Sequence, residues 1–133
     1  MEYIIFAIIS WIIVQLVIYK YFNKSEGYEG ERKHNKKHGK GSYKWTNGDQ
    51  YDGDWFEDLQ HGKGNFTWSN GDKYEGDWFE DQKHGKGIFK WSDGDKYEGE
   101  FEDDKKKGMG TYTWPNGDKC EGEWENDNMN GFG

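Results

Sequence analysis

From Tyr28 onward the chain repeats itself every 23 residues without a break. Tyr28, Tyr51, Tyr74, Tyr97 and Cys120 keep that step, each followed two residues later by a glycine: Gly30, Gly53, Gly76, Gly99 and Gly122. The pairs Gly39/Gly41, Gly62/Gly64, Gly85/Gly87, Gly108/Gly110 and Gly131/Gly133 share it, as do Trp45, Trp68, Trp91 and Trp114, each opening a turn: TNGD, SNGD, SDGD and PNGD. A fixed period of this size marks a stacked-repeat architecture, in which each unit buries its apolar face on its neighbours. Composition then removes the other possibilities. Residues 27–133 contain all 20 glycines, yet their aliphatic side chains are Leu59, Ile88, Met109 and Met129 alone. Helix bundles and doubly wound sheets need far more Leu, Ile and Val. Aromatics at 19% overall exclude ordinary disorder. The one cysteine, Cys120, excludes a disulfide scaffold and leaves the redox compartment unread.

Within a unit the hydrophobic period is two. In YDGDWF (51–56), Tyr51, Gly53 and Trp55 point one way and Asp52 and Asp54 the other; in GNFTW (64–68), Gly64, Phe66 and Trp68 share a face. That is strand alternation with an aromatic–glycine side and a polar side. Asn70-Gly71 is the preferred dipeptide of a type I′ hairpin turn, whose two central residues both need positive φ. EDLQHG (57–62) reads as the longer connection, ending in a glycine. Each unit is then two antiparallel strands, and successive units continue as a meander. Glycine on the buried side costs backbone entropy, so its recurrence needs a cause. An aromatic ring lying flat across a sheet needs a neighbouring position without a Cβ, and buried rings bring about 150–250 Å² each.

The pattern Y-x-G-x-W, then G-x-G-x-[YF]-x-W-x-[ND]-G-D, resembles the MORN repeat (membrane occupation and recognition nexus). The resemblance covers 28–133 as units 28–50, 51–73, 74–96 and 97–119 and a partial fifth, 120–133. It implies an all-β fold: an elongated, single-layer array of antiparallel β-hairpins, which in this family is often closed by a terminal helix. It also implies non-enzymatic scaffold roles, in membrane junctions, cytoskeletal and ciliary assemblies, or as accessory modules on kinases and methyltransferases. The first unit departs from the pattern, because Arg32 stands where Trp55, Trp78 and Trp124 stand and opens the basic run RKHNKK (32–37). It reads as an adapting N-terminal cap or hinge. Cys120 in the last tyrosine position reads as a fraying C-terminal edge.

Ahead of the array, Tyr3 to Tyr19 reads YIIFAIISWIIVQLVIY and carries no charge. Extended to Phe22 it is roughly 25–30 Å long as a helix, about the thickness of a bilayer core. Residues 1–22 are expected to form a transmembrane signal-anchor helix. The competing reading, a cleaved signal peptide, lacks a basic n-region and a small-residue cleavage site. Residues 23–44 follow as a basic juxtamembrane stretch and degenerate first strand. Over 20–44, eight basic residues face three acidic ones. Positive charge stays on the cytoplasmic side, so the repeats are expected in the cytoplasm of a single-pass protein. Lys20, Lys24, Arg32, Lys33, Lys36 and Lys37 are candidate contacts for anionic lipid headgroups; equally, they serve topology and solubility alone. The N-x-S/T sequons at Asn23 and Asn65 would carry sugar in the reverse orientation.

Chemistry was sought in the repeated polar residues. His38, His61 and His84 recur, as do Asp49, Asp72, Asp95 and Asp118. Equivalent positions lie two strands apart, about 9–10 Å, whereas ligands must converge within roughly 2–2.5 Å of one metal ion. Loop packing and turn capping explain them better. The HGKG segments lack the spacing of a phosphate-binding loop. No enzyme, cofactor or metal is expected. Residues 45–133 carry ten lysines against 22 acids, so nucleic acid is not expected as a partner either. What is left is protein binding. Phe56 and Phe79 follow the buried tryptophans and fall on the polar face, where they form a candidate anchor site for a basic partner segment; alternatively they pack on neighbours such as Leu59. The expected function is a membrane-anchored scaffold or tether, with a lipid-engaging module or a regulatory subunit of a separate enzyme as alternatives.

Overall fold

The computed structural model describes residues 2–22 and 27–130, with side chains in the first segment described as far as Ile18. It opens with helix α1 (Glu2–Phe22). Ten strands follow: β1 (Gly27–Lys33), β2 (Lys36–Lys44), β3 (Gln50–Phe56), β4 (Leu59–Thr67), β5 (Lys73–Phe79), β6 (Gln82–Lys90), β7 (Lys96–Glu102), β8 (Lys105–Thr113), β9 (Lys119–Glu125) and β10 (Asn128–Asn130). They form one sheet in sequence order. Every neighbouring pair is antiparallel, from Tyr28↔Tyr43 at one end to Met129↔Trp124 at the other. This is the meander read from the sequence. α1 stands apart from the sheet's packing, for every described side chain on it is exposed. Among the described residues no helix is long and apolar enough to cross a membrane. The transmembrane span expected over 3–22 therefore has no support in the structure, whose described side chains stop one residue short of Tyr19.

A single layer acquires a core because its rings lie along the sheet rather than standing out from it. Tyr51, Tyr74 and Tyr97 are 0–1% exposed, and Trp55, Trp78 and Phe101 are 4–5% exposed. They meet edge to face in an unbroken row: Tyr51 lies 5.0 Å from Trp55 and 5.4 Å from Trp78, and Tyr74 lies 5.2 Å from Trp78 and 5.1 Å from Phe101. This is the geometry that ring quadrupoles favour. A second row of tilted rings, Trp45–Phe66–Trp68–Phe89–Trp91, flanks it at 4.4–5.3 Å. The glycines make room for the first row. A Cβ on Gly64 would sit 2.2–2.4 Å from the Tyr51 ring, and one on Gly53 would sit 2.4 Å from the Gly64 Cα. Ring polar atoms find backbone acceptors: the Tyr51 hydroxyl donates to the Asp54 carbonyl (2.9 Å) and the Trp78 indole N–H to the Gly64 carbonyl (3.1 Å). Arg32 replaces the missing tryptophan of the first unit by laying its guanidinium 4.9 Å over the Tyr28 ring.

The turns correct the sequence reading. The two-residue turn with both residues at positive φ is Glu57-Asp58 (44° and 70°), repeated at Glu80-Asp81 and Asp103-Asp104. Asn70 is not among the positive-φ residues; Gly71 alone takes φ 98°, in a longer connection that Trp68 closes by donating to the Asp72 carbonyl and accepting from the Gly71 N–H. His34-Asn35 takes the same pair (51° and 62°) with no unit before it, and the later turns add a long-range contact. The Asp58 N–H donates to the Lys37 carbonyl (2.9 Å), and the Lys37 N–H donates back to Asp58 Oδ1 (2.8 Å). The same reciprocal pair joins Asp81 to Gln60 and Asp104 to Lys83, so each turn is fastened to the preceding unit. The segment read as a glycine loop is instead strand. One residue of β3, Asp54, faces three of β4, His61 to Lys63, between the pairs Gly53↔Gly64 and Trp55↔Gln60. The resulting bulge turns at Gly62 (φ 70°) and is capped where Asp54 Oδ2 accepts the Lys63 N–H at 3.1 Å.

Candidate functional site

With the core on one face, the other face of the sheet is left for solvent. Phe56 and Phe79 follow Trp55 and Trp78, so strand alternation turns them outward, and each is 49% exposed. The bulges bring a histidine to the same face on each intervening strand. The result is a ladder of rings: His38–Phe56 5.2 Å, Phe56–His61 5.6 Å, His61–Phe79 5.3 Å and Phe79–His84 5.7 Å between centroids. Phe56 pairs with Leu59 across its turn, but the rings beside it are His38 and His61. At β7 and β8 the ladder changes character. Glu102 and Lys107 take the Phe and His positions and form an ion pair at 2.7 Å. A hydrogen bond from Lys107, and then its charge, hold the Glu102 carboxyl below the usual range.

A second row of charges runs beside the ladder. Lys40 pairs with Asp54 at 2.8 Å and Lys63 with Asp77 at 2.5 Å. Burial pushes both carboxyls up, but the Lys40 and Lys63 ammonium groups and the backbone N–H groups of Lys63 and Lys86 outweigh it, leaving each below its ordinary value. In the fourth repeat Met109 replaces the lysine, opposite Glu123, and is 53% exposed. An open trough crosses the strands here, lined by Lys63, Glu75, Lys86, Ile88, Glu98 and Met109 among others.

The basic candidates are placed less uniformly. Lys33 and Lys36 are exposed; Arg32 is exposed too, although it lies over Tyr28 and donates to the Asn35 carbonyl at 3.2 Å. Lys37 is committed elsewhere. Its side chain is 20% exposed, its ammonium 3.5 Å from Asp58 and 5.2 Å from the Tyr43 and Trp55 ring centres. Lys83 and Lys106 repeat this arrangement, and the buried Gln60 fills the equivalent place in the second unit. Lys24 and the side chain of Lys20 lie outside the described residues.

Reaction chemistry has little to work with. The three histidines lie within or at the ends of the ladder, Asp49 and Asp72 accept the Ser69 and Ser92 N–H groups across successive turns, and among the described residues no group of three or more His, Cys, Asp or Glu converges. Asp95 meets Pro115, which has no N–H, and takes the Tyr112 hydroxyl instead. Burial pushes the core phenols up, Tyr97 to about 12, which makes them neutral donors and not bases. The Cys120 thiol rests against the Met129 sulfur at 3.0 Å.

The model described as MORN repeat matches residues 28–50, 51–73, 74–96, 97–119 and 120–133, the same boundaries as the 23-residue period. No curated protein matches the chain. MORN repeats are generally non-enzymatic modules that scaffold proteins or bind lipid. With five consecutive matched units over most of its length, the chain belongs to the MORN-repeat family.

Proposed function

We propose that the protein is a membrane-anchored, non-enzymatic scaffold that holds a protein partner on the outer face of its sheet. The observation that carries the reading is the ring ladder. Two phenylalanines half open to solvent, linked through His61, form a contiguous ring ridge on a mostly polar face. Contiguous exposed rings of this kind mark an interaction surface. The opposite face is less open: its tyrosine–tryptophan row is buried and the flanking rings are partly buried against it, with Trp114 exposed at one end.

Anchoring through residues 3–22 is proposed from the composition and exposure of α1, although no described helix is long and apolar enough to cross a membrane. α1 is apolar all round, without a polar stripe, and its described side chains from Ile4 to Ile18 lie open, Ile4 at 64% and Phe6 at 72%. A helix apolar on every side belongs in a core or in lipid, and the sheet does not cover this one. Extraction of membranes with alkaline carbonate tests it. The full chain should stay in the pellet, and release into the supernatant would end the anchored reading. For the face, a photo-crosslinking residue at position 79 in the full chain should give one discrete adduct, which Phe56→Ala reduces. A diffuse smear, or the same adduct from a crosslinker at Glu29 on the first strand, would count against it.

A second reading has its own observation. Arg32, Lys33 and Lys36 are all exposed on the first hairpin of the sheet, the repeat that follows in sequence the segment proposed to enter the bilayer. Basic residues near an anionic surface contribute about 1 kcal/mol each. These three would then hold the first hairpin against headgroups while the outer face binds protein.

A further inference from the structure

We infer that the occupant of the outer face is a basic, apolar-anchored peptide segment of a partner protein, laid across the strands with its apolar side chains on Phe56 and Phe79 and its cations over β7 to β9. This rests on the outer face being the docking face, and it adds the chemistry and the direction of the occupant.

The direction comes from an asymmetry between the two halves of the face. Over β3 to β5 the exposed surface is aromatic, and Asp54 and Asp77 are already matched by Lys40 and Lys63, which leaves one carboxylate without an ion pair on each of β3 and β5, Asp52 and Glu75, among the described residues. Over β7 to β9 both features are lost together. The phenylalanine positions become Glu102 and Glu125, and the matching lysine becomes Met109. Lys96 and Lys107 engage Glu98 and Glu102 there. Among the described residues Glu121, Glu123 and Glu125 have no ion pair, and all three are exposed. One end of the face therefore asks for apolar groups and the other for positive charge. Met109 and Ile88 lie between, on the floor of the trough, where the apolar stem of a lysine or arginine can rest while its head reaches a carboxylate. An anionic membrane surface is repelled by this end, and so is nucleic acid.

Spacing makes the occupant concrete. Equivalent positions two strands apart are about 9.5–10 Å from each other. A helix covers that distance in about seven residues and a polyproline II chain in about three, and each returns the side chain to the same side at that step. The segment thus carries two apolar residues one such step apart, followed at the next two steps by lysine or arginine.

The test uses the full chain in detergent micelles and two synthetic peptides, each with two leucines followed by two lysines, one at seven-residue and one at three-residue spacing. Fluorescence anisotropy reads binding at low and moderate salt. One of the two peptides should bind, and its version with glutamate for lysine should not. Phe79→Ala should weaken binding about tenfold or more, and the pair Glu123→Lys with Glu125→Lys should weaken it similarly and flatten its salt dependence. Both sites are exposed, and near-UV circular dichroism confirms that the variants keep the core. Equal binding by a peptide with serine for lysine, still abolished by Phe79→Ala, would overturn the basic occupant and leave the docking face standing. Binding that ignores Phe79→Ala and disappears with salt would overturn both. No binding by either peptide would overturn the inference.

Discussion

Two glycines at the same position of the repeat should respond to alanine in opposite ways. At Gly76 a Cβ would lie 2.5 Å from the Gly87 Cα and 2.5 Å from the Lys86 carbonyl oxygen, with the Tyr74 hydroxyl at 2.8 Å. Carbon contacts prefer about 3.5–4.0 Å. The obstacle is backbone, and Tyr74, 1% exposed, has nowhere to retreat. β5 and β6 must move apart by about 1 Å. Overpacking of this kind costs about 1–3 kcal/mol, while relief of glycine's entropy returns about 0.5–1 kcal/mol. The net loss of about 1–2 kcal/mol lowers Tm by roughly 5–15 °C. At Gly122 the tyrosine is replaced by Cys120, and among the described residues the nearest atom to such a Cβ is the Met129 Cε at 3.3 Å, the mobile end of a flexible side chain. Gly122→Ala should leave Tm unchanged or raise it by a few degrees. Near-UV circular dichroism on heating reads the aromatic core without the signal of α1. Equal shifts in the two variants, or a stabilised Gly76→Ala, would refute the idea that rings and strands close over these glycines.

Three further outcomes follow from the same structure. Phe101→Trp should stabilise by about 0.5–1.5 kcal/mol in urea unfolding, because Trp55, Trp78 and Trp124 each donate an indole N–H to a glycine carbonyl and Phe101 has none to give. Asp81→Ala should cost about 2–4 kcal/mol, from the orphaned Gln60 N–H and an alanine held at φ 66°, whereas Asp81→Asn, which keeps an acceptor and tolerates that φ, should cost much less. Burial raises the phenols of Tyr97 and Tyr112 to about 12, and those of Tyr51 and Tyr74 also well above their ordinary value near 10. A raised phenol favours the neutral form in the fold, so its contribution is complete below about pH 10 and is lost as pH climbs towards and past 12. Core phenolate absorbance should therefore appear together with loss of the sheet, and ionisation near pH 10 in an intact sheet would be inconsistent with the burial described.

What the sequence showed plainly was whatever is local or periodic. Alternation placed Tyr51 and Trp55 on one face and Phe56 on the other, and the 23-residue step placed the units in a meander. The turns lie the other way round from the dipeptide signal. Asn70-Gly71 is the stronger local signal, yet Glu57-Asp58 takes the left-handed pair, as His34-Asn35 does with no unit before it, so the bonds from Lys37, 21 residues earlier, to the amide and carboxylate of Asp58 fasten the turn and do not create it. Reading HGKG as a loop also hid the ladder. His61 lies an odd number of residues from Phe66, so strand parity alone puts it on the outer face once the segment is known to be strand. Lys37 was grouped with the basic stretch by charge counting. Its equivalents Lys83 and Lys106 sit in acidic units, and that recurrence was the available sign that it belongs to the repeat and not to a lipid-facing cluster.

We propose an anchored sheet whose outer face meets cytoplasmic partners. Protease treatment of sealed microsomes carrying the full chain with a C-terminal tag tests it most directly, with sugar at Asn23 and at the exposed Asn65 scored alongside. The expected result is complete digestion of the tag, no sugar, and an N-terminal fragment left in the membrane. A protected tail with sugar on Asn65 would contradict it, placing the repeats in the lumen with a glycan on the very face proposed to bind.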